Sequence, residues 1–303
     1  MNIFVSGNLV LEVIEDCNLK CDMCMRGEST HKRITKPVVD EIFKNIKYID
    51  TLILTGGEVT LAYDEINMIV NTIKKNKVTV DNCLIVVNGT IYNKKLFDLL
   101  RKSFKKFEIA ISTDYFHDKS IKEIYKDNID IAYENMYKIS REKGFTTFYG
   151  LSKYIIDCGR AVDLKNVRKE KQGIIPFVST IKNNKYLIVG PEISIDVFGN
   201  LTNGSTTYKK DINNTLGNIF DKNLTELIKE KSIINNFNNI RIFNKISRLL
   251  EQDYFNGTGN YVISNREIIP HERTITNKNY DPEIYDSEKC LIFKYIERNK
   301  KWK

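Results

Sequence analysis

The chain has 303 residues, of which 42% are hydrophobic and 28% charged, and its formal net charge is +8. This composition is typical of a folded globular protein and excludes a disordered or collagen-like chain. No apolar run approaches the roughly 18 residues of a membrane span, and the first residues lack the basic and apolar regions of a signal peptide. We therefore expect a cytoplasmic protein without a membrane partner, whose six cysteines stay reduced.

The positive charge is spread along the sequence, without a block of five like charges. A nucleic acid or another anion is compatible with this excess of lysine and arginine. It is not favoured, because nucleic-acid recognition usually clusters basic residues on one face. Solubility and a composition rich in Lys, Asn and Ile explain the charge more simply.

Two hydrophobic periods alternate along the first half of the chain. Short apolar runs predict buried strands, and stripes with i, i+3, i+4, i+7 spacing predict helices between them. Strands are predicted at 9–14, 52–54, 84–87 and 107–112, with a fifth candidate at 145–156. Helices are predicted at 35–46, 66–73, 96–104 and 119–143. This alternation indicates a parallel sheet with right-handed crossovers, either doubly wound or closed into a partial barrel.

The pattern changes after about residue 173. Short strands are predicted at 186–189 and 193–197, and turn signals at 198–200 and 203–205 indicate a hairpin region. A mostly helical segment is predicted from 224 to about 250. The last fifty residues show no clear period, so they either wrap onto the first part of the chain or stay partly mobile.

Three cysteines follow the first predicted strand, at Cys17, Cys21 and Cys24. Polar neighbours surround them, which argues against three core residues. Thiolates select zinc or iron–sulfur clusters. A structural zinc site needs four ligands, and His31 is the only nearby candidate for the fourth. A cubane cluster held by three cysteines instead leaves one iron open to a substrate or cofactor.

The spacing of the three cysteines resembles that of the radical S-adenosylmethionine (radical SAM) enzymes. Further elements of that family follow in order, each at the end of a predicted strand. They are Thr55-Gly56-Gly57-Glu58, Val87-Asn88-Gly89-Thr90, Ser112-Thr113-Asp114 and Cys158-Gly159-Arg160-Ala161. Met23 departs from the family, which usually has an aromatic residue before the third cysteine; a methionine can still cover a cluster.

The resemblance implies an α/β fold, a partial (β/α)6 TIM-like barrel with a smaller C-terminal α+β extension. We expect the barrel to span 1–178 and the extension 179–303. The extension is similar to the SPASM/twitch domains of radical SAM enzymes that modify peptides, but Leu201-Thr202-Asn203-Gly204 stands where those relatives have auxiliary-cluster cysteines. One [4Fe–4S] cluster is therefore implied.

The resemblance also implies roles for individual residues. Cys17, Cys21 and Cys24 would hold three irons of the cluster, and S-adenosylmethionine (SAM) would chelate the fourth. Gly56, Gly57 and Glu58 would accept hydrogen bonds from the SAM ammonium group. Ser112 and Asp114 would form hydrogen bonds with the ribose hydroxyls of SAM. Asp114 is equally suited to cap the following helix. Asn88 is either a turn former or a contact to SAM or substrate, and no catalytic residue is assigned.

The implied reaction is reductive cleavage of SAM to a 5′-deoxyadenosyl radical, which takes a hydrogen atom from a substrate. A peptide or protein substrate is expected from the extension, and an electron donor such as flavodoxin or ferredoxin is implied. The rival interpretation is a non-enzymatic redox sensor that binds zinc or an iron–sulfur cluster.

Five further residues have simpler interpretations or weaker signals. Cys83, Cys158 and Cys290 are expected to be packed residues, and His117 a hydrogen-bonded loop histidine. Glu12 alternates with apolar residues in the first strand, so its carboxylate is expected to point into the barrel, where it would need a partner.

Overall fold

A computed structural model describes most of the chain. The residues described are 1–150, 155–170, 177–202, 215–234, 243–244, 260–264, 267–271 and 291–300. Predictions for the turn at 203–205 and for Cys290 lie outside these residues. No helix in the described part is both long and apolar enough to cross a membrane.

The described elements alternate strand and helix over the first half of the chain. The strands are β1 (Asn2–Ile14), β2 (Ile46–Gly56), β3 (Thr79–Val87), β4 (Lys106–Ser112), β5 (Phe145–Tyr149), β6 (Ile155–Ile156), β7 (Lys169–Glu170), β8 (Val178–Lys182), β9 (Tyr186–Gly190), β10 (Glu192–Ile195), β11 (Asn200–Thr202), β12 (Thr215–Asn218), β13 (Ile233–Ile234), β14 (Asn260–Ser264) and β15 (Glu267–His271). The helices are α1 (Lys36–Phe43), α2 (Tyr63–Lys75), α3 (Lys94–Ser103), α4 (Tyr115–Tyr125), α5 (Ile129–Ser140), α6 (Leu224–Lys231) and α7 (Leu291–Lys300).

One large, mostly parallel sheet organises the molecule. β1 to β5 lie side by side in chain order and run parallel, with helices in the crossovers. The α/β fold class is therefore confirmed, with a TIM-like partial barrel core and a small extension. Because parallel strands end at the same side, the loops after β1 to β4 meet there.

The extension continues the same sheet. β9 pairs with the first half of β1 and β10 with its second half, both in parallel. β11 and β12 then follow as antiparallel neighbours. The predicted division between 178 and 179 falls inside β8, a strand of this same sheet, and it stays a prediction.

The helices cover the sheet with apolar faces. α1 begins at Lys36, with proline in its first turn, and buries Val38, Val39, Ile42 and Phe43. Asn93 caps α3 by accepting the Leu96 N–H at 3.0 Å. Leu9, Leu11, Leu52 and Leu54 are fully buried in adjacent strands. Cys83 is fully buried as well, which confirms its interpretation as a core residue.

The single helix predicted at 119–143 is wrong. α4 ends at Tyr125, a short 3-10 turn spans Lys126–Asn128, and α5 begins at Ile129. Lys126 has a φ of 45°, which a helix interior does not allow. Asp127 and Asn128 in this turn are residue types that favour caps and turns over helix interiors. The prediction gave more weight to the apolar stripe than to these two residues.

Two other segments differ from expectation. The strand predicted at 145–156 is present as β5 and β6, and 151–154 lie outside the described residues. The mostly helical segment predicted from 224 to about 250 begins with α6, which ends at Lys231 because Ser232 takes an extended conformation. Of the rest of that segment, 235–242 and 245–250 lie outside the described residues. β-branched Ile233 and Ile234 then form β13 beside β8.

The C-terminal helix packs on the barrel, which is one of the two alternatives expected for the end of the chain. The Asp118 carboxylate on α4 accepts the Leu291 N–H at 2.8 Å and so caps α7. The Tyr295 ring lies 6.1 Å from that of Tyr133 on α5, and Phe293 lies 5.3 Å from Phe148.

Gly7 marks the point where β1 passes from β9 to β10. Its φ is +127°, and a Cβ atom there would lie 1.9 Å from the carbonyl oxygen of Pro191. The Asn8 N–H donates to the same oxygen at 2.7 Å. Only glycine fits this close backbone contact.

We expect Gly7→Ala to lower the free energy of unfolding by roughly 2–4 kcal/mol, because it adds backbone strain to a steric clash. Urea unfolding measures the effect. The neighbouring substitution Ser6→Ala, expected to cost less than about 1 kcal/mol, is the control. Equal stability of the Gly7→Ala variant and the parent would contradict the clash.

Candidate active site at the carboxyl ends of the strands

The three cysteines lie on one loop between β1 and α1. Cys17 is exposed, Cys21 is buried and Cys24 is half-buried, and all three line the same cavity. The loop of residues 15–34, called here the cysteine loop, therefore forms one side of the cavity and exposes its three sulfur ligands to it.

The surroundings keep the thiols of Cys17 and Cys21 protonated. Although Cys17 is exposed as a residue, the protein around its sulfur desolvates the thiolate and raises the pKa of Cys17 to about 11, and the charges of Glu58 and Cys24 add to the rise. Burial raises the pKa of Cys21 further, helped by Asp114 and the other two cysteines. A bound metal must therefore displace protons from these sulfurs, which couples metal binding to pH.

Gly56 and Gly57 hold the cysteine loop from the β2 side. The Gly57 N–H donates to the Ile14 carbonyl at 2.6 Å, and the Glu58 N–H donates to that of Asp16 at 2.8 Å. A Cβ atom on Gly57 would lie 2.2 Å from the Asp16 oxygen. Both glycines are thus required by the close approach of the loop that carries the cysteines.

The segment after β6 holds the same loop from the other side. The Arg160 guanidinium donates through Nε to the Cys21 carbonyl at 3.0 Å, and its backbone N–H donates to that of Cys24 at 2.9 Å. A Cβ atom on Gly159, whose φ is +56°, would lie 2.4 Å from the Cys24 oxygen. Arg160 also lines the cavity.

Glu58 is fully buried and bonded within the protein. One carboxylate oxygen accepts from the Thr60 N–H at 3.0 Å and from its hydroxyl at 2.6 Å. The other accepts the Asn88 N–H at 2.7 Å. Burial raises the pKa of Glu58, while these donors oppose the rise. The carboxylate joins the end of β2 to the end of β3 and is not among the residues that line the cavity.

Asn88 connects this junction to the first cysteine. Its side-chain oxygen accepts from the Thr90 N–H at 3.0 Å, and its amide donates to Asn18 at 2.9 Å. The same amide lies 3.8 Å from the Cys17 sulfur, and the Leu19 N–H lies 3.4 Å from it. Hydrogen bonds to sulfur are among the factors that set the potential of an iron–sulfur cluster.

Ser112 and Asp114 end β4 and differ in position. Ser112 lines the cavity, whereas Asp114 is buried behind it. One Asp114 oxygen caps α4 by accepting the N–H groups of Phe116 at 2.9 Å and His117 at 3.0 Å. The other lies 2.7 Å from His117 Nδ1. The helix-cap alternative for Asp114 is thus the geometry observed.

The cavity has a volume of about 860 Å³, which is within the range of ligand sites. It brings together seven of the nine residues predicted for the site. These are Cys17, Cys21, Cys24, Gly56, Gly57, Asn88 and Ser112.

Comparison with known proteins identifies the family. The model of the Radical SAM superfamily matches residues 11–163, half of the chain. The chain belongs to the radical SAM superfamily. It is therefore an enzyme, and the non-enzymatic sensor is not retained. Members of this superfamily use a [4Fe–4S] cluster and SAM.

The other comparisons are more distant. A search of curated proteins finds no match. Among solved structures, anSMEcpe with bound AdoMet and the Cp18Cys peptide is 14% identical, covers 75% of this chain and 80% of that chain, and has a TM-score of 0.47. Streptococcus suis SuiB bound to precursor peptide SuiA is 15% identical, covers 74% and 64%, and has a TM-score of 0.39.

The donor set of this radical SAM enzyme fits a cluster better than a single ion. Three thiols line one cavity, and N–H groups approach one of the sulfurs. Among the described side chains, no three of His, Cys, Asp or Glu are gathered closely enough to hold one metal ion. In a cubane each cysteine binds a different iron, so the sulfurs need not meet at one point.

Arg160 is the site residue whose role the sequence did not predict. In the sequence the triplet Gly159-Arg160-Ala161 resembles a family element, but the sequence predicts no contact for it. The structure shows that this triplet holds the cysteine loop through the carbonyl oxygens of Cys21 and Cys24.

We expect Arg160→Ala to loosen the cysteine loop, because the bond from Nε to the Cys21 carbonyl is lost. Cys21 of the metal-free protein should then be alkylated by iodoacetamide roughly tenfold faster, as measured by mass spectrometry. Arg141→Ala, at an exposed arginine after α5, is the control. An unchanged rate in Arg160→Ala would contradict this role.

The His117–Asp114 pair predicts a pH dependence of stability. Burial disfavours the charged imidazole, but the charge and hydrogen bond of Asp114, with the charges of Asp118 and Glu58, together outweigh it and raise the pKa of His117. The pair therefore stabilises the fold fully below the ordinary value of about 6.5, and the gain is lost as pH rises through the raised pKa.

Urea unfolding of the metal-free protein tests this dependence. We expect the difference in free energy of unfolding between the parent and His117→Gln to be larger at pH 6 than at pH 9. A difference that stays constant or grows with pH would show that the ion pair does not form.

Proposed function

We propose that the protein cleaves SAM reductively at a [4Fe–4S] cluster held by Cys17, Cys21 and Cys24, and that its substrate is a peptide. The observation that carries the first part is the placement of all three thiols on one cavity, with Gly56, Gly57, Asn88 and Ser112 facing the same space. The chemistry that the bound cluster and SAM supply is one-electron reduction of the sulfonium, which gives methionine and a 5′-deoxyadenosyl radical able to take a hydrogen atom.

The chain's own residues orient these groups. We infer that the carbonyls of Gly56 and Gly57 accept from the SAM ammonium and that Ser112 and Asn88 contact the nucleoside or the substrate. Glu58 and Asp114 act from behind the cavity wall. Glu58 fixes the junction of β2 and β3, and Asp114 fixes the start of α4, so both position the residues that contact SAM.

A peptide substrate is supported by a set of six exposed large apolar side chains, called here the apolar rim, each of which ends or follows a strand. One of them, Tyr149 at the end of β5, lines the cavity. The six are Leu61, Tyr115, Tyr149, Val162, Phe198 and Phe220. Exposed apolar groups clustered at one end of a protein mark a binding surface. A small polar metabolite has no apolar surface to bury against such residues, whereas a peptide can pack several side chains against them.

The rim joins the two parts of the chain. Leu61, Tyr115, Tyr149 and Val162 belong to the first part, and Phe198 and Phe220 to the second. This supports the division at 178 and 179 as a catalytic barrel and a substrate-facing, SPASM-like extension. Reduction of the cluster requires an external donor, for which a flavodoxin or ferredoxin is suited.

Replacement of a ligand cysteine tests the proposal. The protein is reconstituted anaerobically with iron and sulfide, then treated with dithionite and SAM. We expect brown protein that releases 5′-deoxyadenosine, and Cys21→Ala should lose both the colour and the product, because a thiolate ligand is missing.

Cys83→Ala is the matched control, since Cys83 is fully buried in β3 and lines no part of the cavity. It should keep both the colour and the product. Colourless protein with one zinc bound, or a Cys83→Ala variant as inactive as Cys21→Ala, would overturn the proposal.

A further inference from the structure

Five short segments of the chain meet at the end of the sheet opposite the cysteine loop. Each leads into one of the parallel strands β2, β3, β4, β5 and β9, and these strands begin at the same end of the sheet. We call the five segments together the basic face. They are residues 44–47, 74–77, 101–106, 141–144 and 182–185.

Two of these segments meet at the start of β1. The Asn2 N–H donates to the Lys185 carbonyl at 3.0 Å, and the Ile3 N–H donates to the Asn45 carbonyl at 2.8 Å. The strands that follow lie side by side in the order β9, β1, β2, β3, β4, β5. The segments are therefore neighbours in this same order.

Side chains join the remaining segments. Lys74 Nζ lies 3.4 Å from the Ser103 hydroxyl, so the ends of α2 and α3 touch. The Arg101 guanidinium lies 2.5 Å from the Glu142 carboxylate, which joins the end of α3 to the segment after α5. The basic face is thus one continuous surface.

The positive charge of the protein is concentrated on this face. Its 22 residues hold 13 of the 47 lysines and arginines but only one of the 39 aspartates and glutamates, which gives a net charge of +12. The rest of the chain has 34 lysines and arginines against 38 aspartates and glutamates, a net charge of −4. Cations that are spread along the sequence are gathered by the fold at one end.

Most of these cations are available to a partner. Three form ion pairs, namely Lys44 with Glu41, Arg101 with Glu142 and Lys106 with Glu108. The other ten have no ion pair within the described part of the chain, and all but one of them are exposed. The ten are Lys47, Lys74, Lys75, Lys77, Lys102, Lys105, Arg141, Lys143, Lys182 and Lys185.

Helix stabilisation does not account for this excess. A lysine or arginine in the last turn of a helix interacts favourably with the negative end of the helix dipole. Within the basic face only Lys74, Lys75, Arg101 and Lys102 lie in such a turn. The other nine cations lie outside the last turns, so the fold gains no comparable benefit from them.

Aromatic rings accompany the cations. Phe4 at the start of β1 lies 6.2 Å from the Tyr48 ring and 5.2 Å from the Tyr186 ring, and all three residues are half-buried. Lys47 and Lys185 directly precede the two tyrosines. Proteins that bind unpaired nucleic-acid strands combine cations for the phosphates with aromatic rings on which bases stack.

We propose that the basic face binds a single-stranded nucleic acid through its phosphate backbone. Six adjacent strands about 4.8 Å apart give the face a span of about 24 Å, which suits an extended chain of phosphates. An anionic membrane fits less well, because the large apolar residues of the five segments, Ile46 and Phe104, are buried and have nothing to insert. The thirteen residues of β1 separate the face from the cysteine loop, so a bound strand leaves the cavity open.

Fluorescence anisotropy of a labelled single-stranded RNA of about 20 nucleotides tests the inference. The reconstituted enzyme is titrated into the RNA at several salt concentrations. If each of the five segments neutralises one phosphate, the logarithm of the binding constant should fall with the logarithm of the salt concentration with a slope of about −3.5. Single-stranded DNA of the same sequence should give a similar slope, because the contacts are to phosphates.

Two fourfold variants separate the basic face from net charge. The first replaces one exposed, unpaired lysine in each of four segments and should weaken RNA binding at least about tenfold at 0.1 M salt, with a shallower slope. The second makes the same change in charge at exposed lysines elsewhere and should bind RNA within about twofold of the parent, because distant charges are screened. The first carries Lys75→Gln, Lys105→Gln, Lys143→Gln and Lys185→Gln, and the second Lys36→Gln, Lys94→Gln, Lys165→Gln and Lys222→Gln.

None of the eight lysines lines the cavity, so both variants should release 5′-deoxyadenosine as the parent does, which shows that they fold. Equal RNA binding by the two variants would overturn the inference, as would a salt slope near zero. Polyglutamate of about 20 residues, or vesicles of phosphatidylglycerol and phosphatidylcholine, serves as the competing anion. If either bound the parent as tightly as the RNA does, the assignment to a nucleic acid would be wrong.

Discussion

The contact between two backbones, that of Gly56-Gly57 and that of the loop carrying the cysteines, is the constraint on which the site depends. Strand β1 delivers the first cysteine only three residues after its last residue, so the loop has little freedom in where it starts. Gly56, the last residue of β2, and Gly57 then lie against the carbonyl groups of Ile14 and Asp16 at distances that exclude a Cβ atom. Arg160 holds the later part of the loop. Because the loop is held at both ends, its three sulfurs keep fixed relative positions, as the ligands of an iron–sulfur cluster must.

The buried carboxylates of the site have different tasks, which follow from what bonds them. The Glu58 carboxylate accepts three hydrogen bonds from the protein, so it connects the end of β2 to the end of β3. Asp114 divides its oxygens between a helix start and His117. Glu12 keeps one oxygen without a donor in the described residues. In a medium of low dielectric such an oxygen attracts the next available donor, whereas a saturated carboxylate does not.

Much of the fold could be predicted from the sequence, because strands buried on both faces give continuous apolar runs and covering helices give stripes. The strand cores at 9–14, 52–54, 84–87 and 107–112 all lie within observed strands. The break between α4 and α5 was missed, since three polar residues interrupt an otherwise good stripe. The cysteine triplet and the Gly-Gly pair indicated the site. The helix cap of Asp114 was one of two alternatives that the sequence offered, because its donors are local. The orientation of Glu58 could not be predicted, because one of its oxygens accepts the Asn88 N–H from the end of β3, which only the folded chain brings near.

The double pairing of β1 limits how the protein can be divided. Its one side is covered by β2, and its other side only by β9 and β10, which come from the second half of the chain. A fragment that stopped before β9 would leave one side of β1 uncovered, along the two stretches, 2–5 and 8–11, that pair with β9 and β10. Such an edge recruits strands from other molecules. The barrel is therefore not a module that could be excised, and the extension works as the cover that keeps the central strand from aggregating.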